Sequence, residues 1–315
     1  MNDPKRVAVL LGGRSAEREV SLNTGAQVAF ALAGRGFEVV KVDTGLPGFV
    51  AAIEAAGADV AFICLHGRFG EDGTIQGLLE LLDLPYVGSG VLASAQAINK
   101  VMSKHLYAMA DLSTPPYVVV RRGTPYDVDE ITDALGGKTV VKPADEGSSV
   151  GMTIVSDPAL LGAAIERAFG FDTLVLVERF EVGVEVTIGV IGNQDPVALP
   201  TLEIVPENEF YDYESKYVPG MSSHIIPARV SDAARLECQR LAVEAHRVLG
   251  CAGMSRSDTI VTPAGDVFLL ETNTIPGMTK TSLLPDAAAA AGIPFPELCE
   301  RLVALALEDW ADRRG

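Results

Sequence analysis

Through residues 1–95, short apolar runs suited to strands alternate with stretches of helical periodicity: Arg6 to Leu11, Glu17 to Ala33, Phe37 to Val42, Val50 to Ala56 and Asp59 to Leu65. A strand–helix–strand succession brings consecutive strands side by side through crossover helices, so this segment is held to a parallel sheet covered on both faces. The pattern changes further on. After Gly88-Ser89-Gly90 the chain reads as helical through about Ala110, and Ser113 to Pro116 reads as a linker.

From Tyr117 the predicted pieces are a strand, a helix (Asp127 to Leu135), a strand (Thr139 to Pro143), a small-residue loop, a strand (Met152 to Val155), a helix (Pro158 to Phe169) and a strand (Thr173 to Phe180). The last third adds strands over Val184 to Ile191 and Val197 to Val205 and then a polar aromatic loop. An amphipathic helix showing Leu236, Leu241, Ala245, Val248 and Leu249 follows, then a hairpin and two closing helices. The chain therefore divides at 1–95, 96–181 and 182–315, an α/β unit followed by α+β units.

A net charge of −17 argues against a nucleic-acid partner, which needs a basic surface to displace phosphate counterions. An anionic small ligand would need lysines and arginines gathered locally. Cys64, Cys238, Cys251 and Cys299 show no CxxC spacing and sit in apolar or helical contexts, as reduced thiols of a cytoplasmic protein would. The apolar run Val7 to Leu11 is too short for a signal segment, and no run reaches membrane-spanning length.

Two glycine motifs fail on context. Gly137-Lys138-Thr139 resembles the end of a P-loop, but Thr132 stands where the first glycine belongs, and the segment opens a strand instead of a helix. Gly88-Ser89-Gly90-Val91-Leu92-Ala93 fits a loose dinucleotide fingerprint, yet it follows the fourth strand and no acidic residue closes a nearby second strand.

The chemistry concentrates in the hairpin. Met254-Ser255-Arg256-Ser257-Asp258 and Val267 to Thr274 flank a turn marked by Pro263, Gly265 and Asp266. With that turn centred on Ala264 and Gly265, Asp258 lies opposite Glu271 and Arg256 opposite Asn273, all four on one face. Two carboxylates and an amide oxygen together are costly without a cation, and hard oxygen donors suit Mg²⁺. A solvated face with an Arg–Asp pair is the plain alternative. Upstream, Val140-Val141-Lys142-Pro143 ends a strand, and Glu146-Gly147-Ser148-Ser149-Val150-Gly151 offers backbone N–H groups close access to phosphate. Glu178, in Leu176 to Glu181, stands where a strand meets a hinge and could accept from an adenine amino group.

This order of strand lysine, glycine loop, hinge glutamate and metal hairpin resembles the ATP-grasp superfamily. Leu11-Gly12-Gly13-Arg14-Ser15-Ala16-Glu17-Arg18-Glu19-Val20-Ser21, Leu65-His66-Gly67, Phe210 to Tyr217 and Asn273-Thr274-Ile275-Pro276-Gly277-Met278-Thr279 resemble the D-alanine:D-alanine ligases over nearly the whole chain. The resemblance implies an ATP-grasp fold preceded by a parallel-sheet domain, a cytoplasmic homodimer, and ligation of two D-alanines at the expense of ATP through D-alanyl phosphate, for peptidoglycan precursor synthesis.

It also implies roles. Lys100 and Lys142 would contact phosphates alongside Ser149 of the glycine loop, Glu178 and the backbone near Phe180 would hold adenine, and Glu185 the ribose. Lys216 would reach the γ-phosphate from a mobile loop over Glu207 to Met221. Asp258, Glu271 and Asn273 would bind two Mg²⁺ or Mn²⁺ ions. Glu17, close to His66, would take the first D-alanine's ammonium, and Ser282 with the Leu283 backbone would hold the second carboxylate. Arg256 and the Gly277 N–H would stabilise the oxyanion, and Tyr217 would reach Glu17 through Ser148. Ser257 and Arg179-Phe180 depart from the family's usual residues. The alternatives are a D-alanine:D-lactate ligase, against which Tyr217 argues, and a non-catalytic ATP-binding module.

Overall fold

The computed structural model describes residues 6–145, 147, 150–206, 222–280 and 282–314. The first sheet is built from β1 (Arg6–Leu11), β2 (Glu38–Asp43), β3 (Val60–Ile63) and β4 (Tyr86–Val87), in the order β2-β1-β3-β4, with each neighbouring pair parallel. Helices α1 (Arg18–Gly34), α2 (Phe49–Ala56) and α3 (Thr74–Leu81) connect them. Both faces of β1 are covered, so its side chains are buried almost throughout. Open parallel sheets bind ligands beyond the carboxyl ends of their strands. Glu17 follows β1 at that edge, and His66 follows β3 there.

Helix α3 is absent from the sequence reading. Its opening Gly73-Thr74-Ile75-Gln76-Gly77 carries two glycines that mask its periodicity. The expected continuous helix to Ala110 is two helices, α4 (Val91–Ile98) and α5 (Lys100–Met109). Asn99 separates them in an extended conformation and caps α5 by accepting from the Met102 N–H at 2.9 Å.

The second sheet contains β5 (Tyr117–Arg121), β6 (Thr139–Pro143), β7 (Thr153–Val155) and β8 (Leu174–Arg179), ordered β5-β8-β6-β7 and antiparallel. Helices α6 (Val128–Leu135) and α7 (Leu161–Ala168) bury Ile131, Leu135 and Ile165 against Val141, Val175 and Val177.

The third sheet holds β9 (Val184–Ile191), β10 (Val197–Ala198), β11 (Leu202–Pro206), β12 (Ser222–Ile225), β13 (Met254–Val261) and β14 (Val267–Asn273). Its order is β12-β11-β9-β13-β14, with β10 on β9. The single strand expected over Val197 to Val205 is interrupted at Leu199-Pro200-Thr201, since Pro200 has no N–H for a ladder. Helix α8 (Asp232–Val248) covers this sheet through Ala234, Cys238, Leu241, Ala242 and Ala245. Leu236, expected on the apolar stripe, is 67% exposed.

Helices α9 (Leu283–Ala290) and α10 (Phe295–Arg314) close the chain. Leu298, Leu302 and Val303 of α10 share one core with Val7 and Val9 of β1 and Val28 and Leu32 of α1. The strands sort by sequence into three sheets, but the last segment packs back on the first. Among the described residues, no helix is long and apolar enough to cross a membrane.

Candidate active site

The β13–β14 hairpin pairs Arg256 with Asn273 and Asp258 with Glu271, the register expected from the sequence. The route to that register differs. The turn closes around Ala264, with Thr262 and Asp266 at its base, and a bulge then leaves Leu270 without a ladder partner. That extra residue turns Leu269 to the core and Glu271 to the opposite face. Ser257 faces the core, as alternation requires: its Oγ lies 2.8 Å from Thr272 Oγ1, which also accepts from the Tyr107 hydroxyl at 2.8 Å.

Asp258 accepts from Arg256 Nε at 3.0 Å, from Arg256 Nη2 at 2.8 Å and from Thr187 Oγ1 at 2.5 Å. Lys100 Nζ lies 3.7 Å from Glu271. Protein cations therefore already balance both carboxylates, and repulsion alone does not demand a metal. What fits Mg²⁺ is the donor set itself, two carboxylates and the Asn273 amide oxygen, all hard oxygens on one face.

Behind the hairpin lies a buried charge cluster. Glu178 is 1% exposed; one carboxylate oxygen accepts from Lys142 Nζ, and the other lies 2.8 Å from Lys104 Nζ. Burial opposes ionisation of Glu178, but the two ammonium groups outweigh it and bring its pKa down to about 2. Burial likewise opposes the charge on Lys142, and the carboxylates of Glu178 and Glu271 reverse this and raise its pKa. For Lys104 burial wins and the pKa falls. Glu178, expected from the resemblance to hold adenine, has both of its oxygens at lysines. The Phe180 N–H donates to the Lys138 carbonyl at 3.0 Å, and Glu185 lies on β9 opposite Ile260.

Glu17 occupies the N-cap position of α1 but makes no capping hydrogen bond. A Cβ on Gly67, whose φ is +65°, would lie 2.5 Å from Glu17 Oε2, and one on Gly147 would lie 3.9 Å from it. The carboxylate is thus set between the end of β3 and the glycine loop after β6. His66 is buried, with Nδ1 3.3 Å from Glu71 and Nε2 3.3 Å from Thr24 Oγ1, and Ser15 Oγ donates to the His66 carbonyl at 2.8 Å.

Ser282 precedes α9 without capping it; its Oγ accepts from the Thr279 N–H at 3.1 Å. A Cβ on Gly277 would come within 2.8 Å of that oxygen, so Gly277 is what lets the turn close on Ser282. The Lys280 N–H donates to Gln27 of α1 at 2.8 Å, tying this turn to the helix that Glu17 begins. Ser148, Ser149, Lys216 and Tyr217, together with the segment Glu207 to Met221, lie outside the described residues.

Residues 106–304 match the family described as "D-ala D-ala ligase C-terminus", and residues 46–89 match "D-ala D-ala ligase N-terminus". The chain belongs to the D-alanine–D-alanine ligase family. It is 52% identical to the D-alanine–D-alanine ligase of Syntrophobacter fumaroxidans, over 96% of this chain and 98% of that one. It is 49% identical to that of Pelotomaculum thermopropionicum, over 98% and 99%. The structure of the Bacillus anthracis D-alanine–D-alanine ligase complexed with ATP superposes with a TM-score of 0.86 at 29% identity, covering 98% of this chain and 99% of that one. The parallel first sheet followed by two antiparallel sheets fits the ATP-grasp fold of these ligases.

Within this ligase fold, Lys104, Thr187 and Glu71 touch candidate site residues yet escape a reading of the sequence. For Lys104 one signal was available. It follows Lys100 by four residues on a helix, and so shares its face.

Proposed function

We propose that the chain joins two D-alanines into D-alanyl-D-alanine, with ATP cleaved to ADP and phosphate, through a D-alanyl phosphate intermediate. The observation that carries this reading is the facing of Asp258 and Glu271 beside Lys100, in a chain that matches named ligases over nearly its whole length.

In this reading Lys100 and Lys142 hold the phosphates, and Glu17 takes the ammonium of the first D-alanine, whose carboxylate attacks the γ-phosphorus. Two Mg²⁺ ions held by Asp258, Glu271 and Asn273 would screen charge between the two anions when bound. The start of α9 suits the second D-alanine's carboxylate, because a helix N-terminus favours negative charge and Ser282 adds a hydroxyl. Its amine attacks the acyl carbon. Arg256, its plane fixed by Asp258, and the Gly277 N–H stabilise the oxyanion before phosphate leaves.

The same reading carries peptidoglycan precursor synthesis, a cytoplasmic setting and a homodimer. The four cysteines are free and buried, in keeping with a reducing compartment. The test is product identification by mass with Mg-ATP and D-alanine, alone and then with D-lactate. Dipeptide in both mixtures supports the reading. Predominant D-alanyl-D-lactate makes the chain the ester-forming ligase, and nucleotide binding without product makes it a binding module.

A further inference from the structure

Lys104 is 1% exposed, in a setting where an ammonium is costly unless partnered. It lies four residues after Lys100, and helix α5 offers both lysines to carboxylates, Lys100 to Glu271 on β14 and Lys104 to Glu178 on β8. Lys104 Nζ also donates to Thr114 Oγ1 at 2.5 Å, and Thr114 Oγ1 donates to the Leu269 carbonyl of β14 at 2.8 Å. The ammonium therefore ties α5 to the second sheet and to the hairpin that carries Glu271.

We infer that Lys104 is a positioning residue for the nucleotide phosphates, acting through Glu178 on Lys142. A single carboxylate shared by two ammonium groups neutralises neither of them completely. The Lys104–Glu178–Lys142 chain therefore keeps one excess positive charge, and Lys142 retains attraction for an incoming phosphate while Glu178 holds it in place. With Lys104 uncharged, Glu178 and Lys142 form a closed neutral pair, and the carboxylate competes with phosphate for the same ammonium. This inference rests on the proposed ATP-dependent ligase activity, which it deepens.

The experiment compares Lys104→Met and Lys104→Gln with the parent full-length chain, measuring binding of ADP, of tripolyphosphate and of adenosine, together with the KM for ATP and for D-alanine. Lys104→Gln keeps a donor without the charge, and it carries the test if the methionine variant folds poorly. Affinity for ADP and tripolyphosphate is expected to fall roughly tenfold, with adenosine affinity and the KM for D-alanine within about twofold of the parent. A merely structural role would weaken adenosine as much as ADP, or lower the melting temperature without changing ADP affinity; either result overturns the inference. A parent that binds ADP and variants that bind it equally well overturn this inference alone, whereas a parent that binds no ADP overturns the ligase reading with it.

Discussion

Asp258 and Glu271 face each other directly across the β13–β14 hairpin because the bulge at Leu270 shifts the ladder by one residue just before the pair forms. Without it Asp258 would meet Leu270, and the two carboxylates would not share a partner. Glu271→Gln keeps the shape and removes one charge from the donor set. Ligation is expected to fall by roughly a thousandfold or more, with the melting temperature close to the parent's, since Glu271 is partly exposed. Phosphate release across a Mg²⁺ titration checks this, and near-parental turnover at saturating Mg²⁺ would remove the metal assignment.

Gly67→Ala tests the seat of Glu17. The added methyl would meet Glu17 Oε2, and φ at this position is positive, so both the carboxylate and the backbone must shift. The KM for the first D-alanine is expected to rise about tenfold or more while the KM for ATP stays near the parent value. Steady-state kinetics with each substrate varied separately would show it. An equal rise for both substrates would mean that Glu17 is not confined to the amino-acid subsite.

Ser282→Ala removes the acceptor of the Thr279 N–H and, in the proposed reading, a contact to the second carboxylate. That contact is present before and during reaction, so the expected loss is in the KM of the second D-alanine, roughly tenfold, with a smaller effect on kcat. A change confined to ATP would displace this subsite from α9.

Acid should expose the buried cluster. Glu178 titrates near 2 in the folded chain and near 4.5 when unfolded, so its contribution to stability is full above the unfolded value and is lost as pH falls through the folded one. Between these values the unfolded chain binds the proton first. Urea midpoints are therefore expected to drop from about pH 5 to about pH 2, with a shallower drop in Glu178→Gln, which starts from lower stability because it leaves Lys104 and Lys142 less well paired. Parallel pH slopes for the parent and Glu178→Gln would show that Glu178 does not titrate in this window.

The sequence carried the strands of the first two sheets and the carboxylate face of the hairpin, because alternation and turn residues are local signals; in the third sheet it missed the short edge strand β12 and ran β10 and β11 together. Pro263, Gly265 and Asp266 announced the turn, and the bulge at Leu270, silent in the sequence, offset the misplaced turn centre. The Asn99 break between α4 and α5 stayed hidden because the residues on either side are good helix formers, and it is this break that puts Lys100 at the start of a helix. Lys104 stayed hidden for a different reason. A lysine on a helix reads as solvated, and only the tertiary approach of Glu178 and Thr114 makes its burial tolerable. Leu236 shows the converse, an apolar residue in the helical pattern that packing leaves exposed.

Oxygen labelling shows whether the carboxylate of D-alanine attacks ATP to form an acyl phosphate. D-Alanine carrying ¹⁸O in its carboxylate is incubated with the parent chain, Mg-ATP and no other amino acid, and the released phosphate is analysed by mass. Attack by the carboxylate places one of its oxygens between carbon and phosphorus, and that oxygen leaves with phosphorus when the second amine displaces it. One ¹⁸O is expected in each phosphate, formed in step with D-alanyl-D-alanine. Phosphate released without label would contradict attack by the carboxylate, and labelled phosphate without dipeptide would contradict its capture by the second amine.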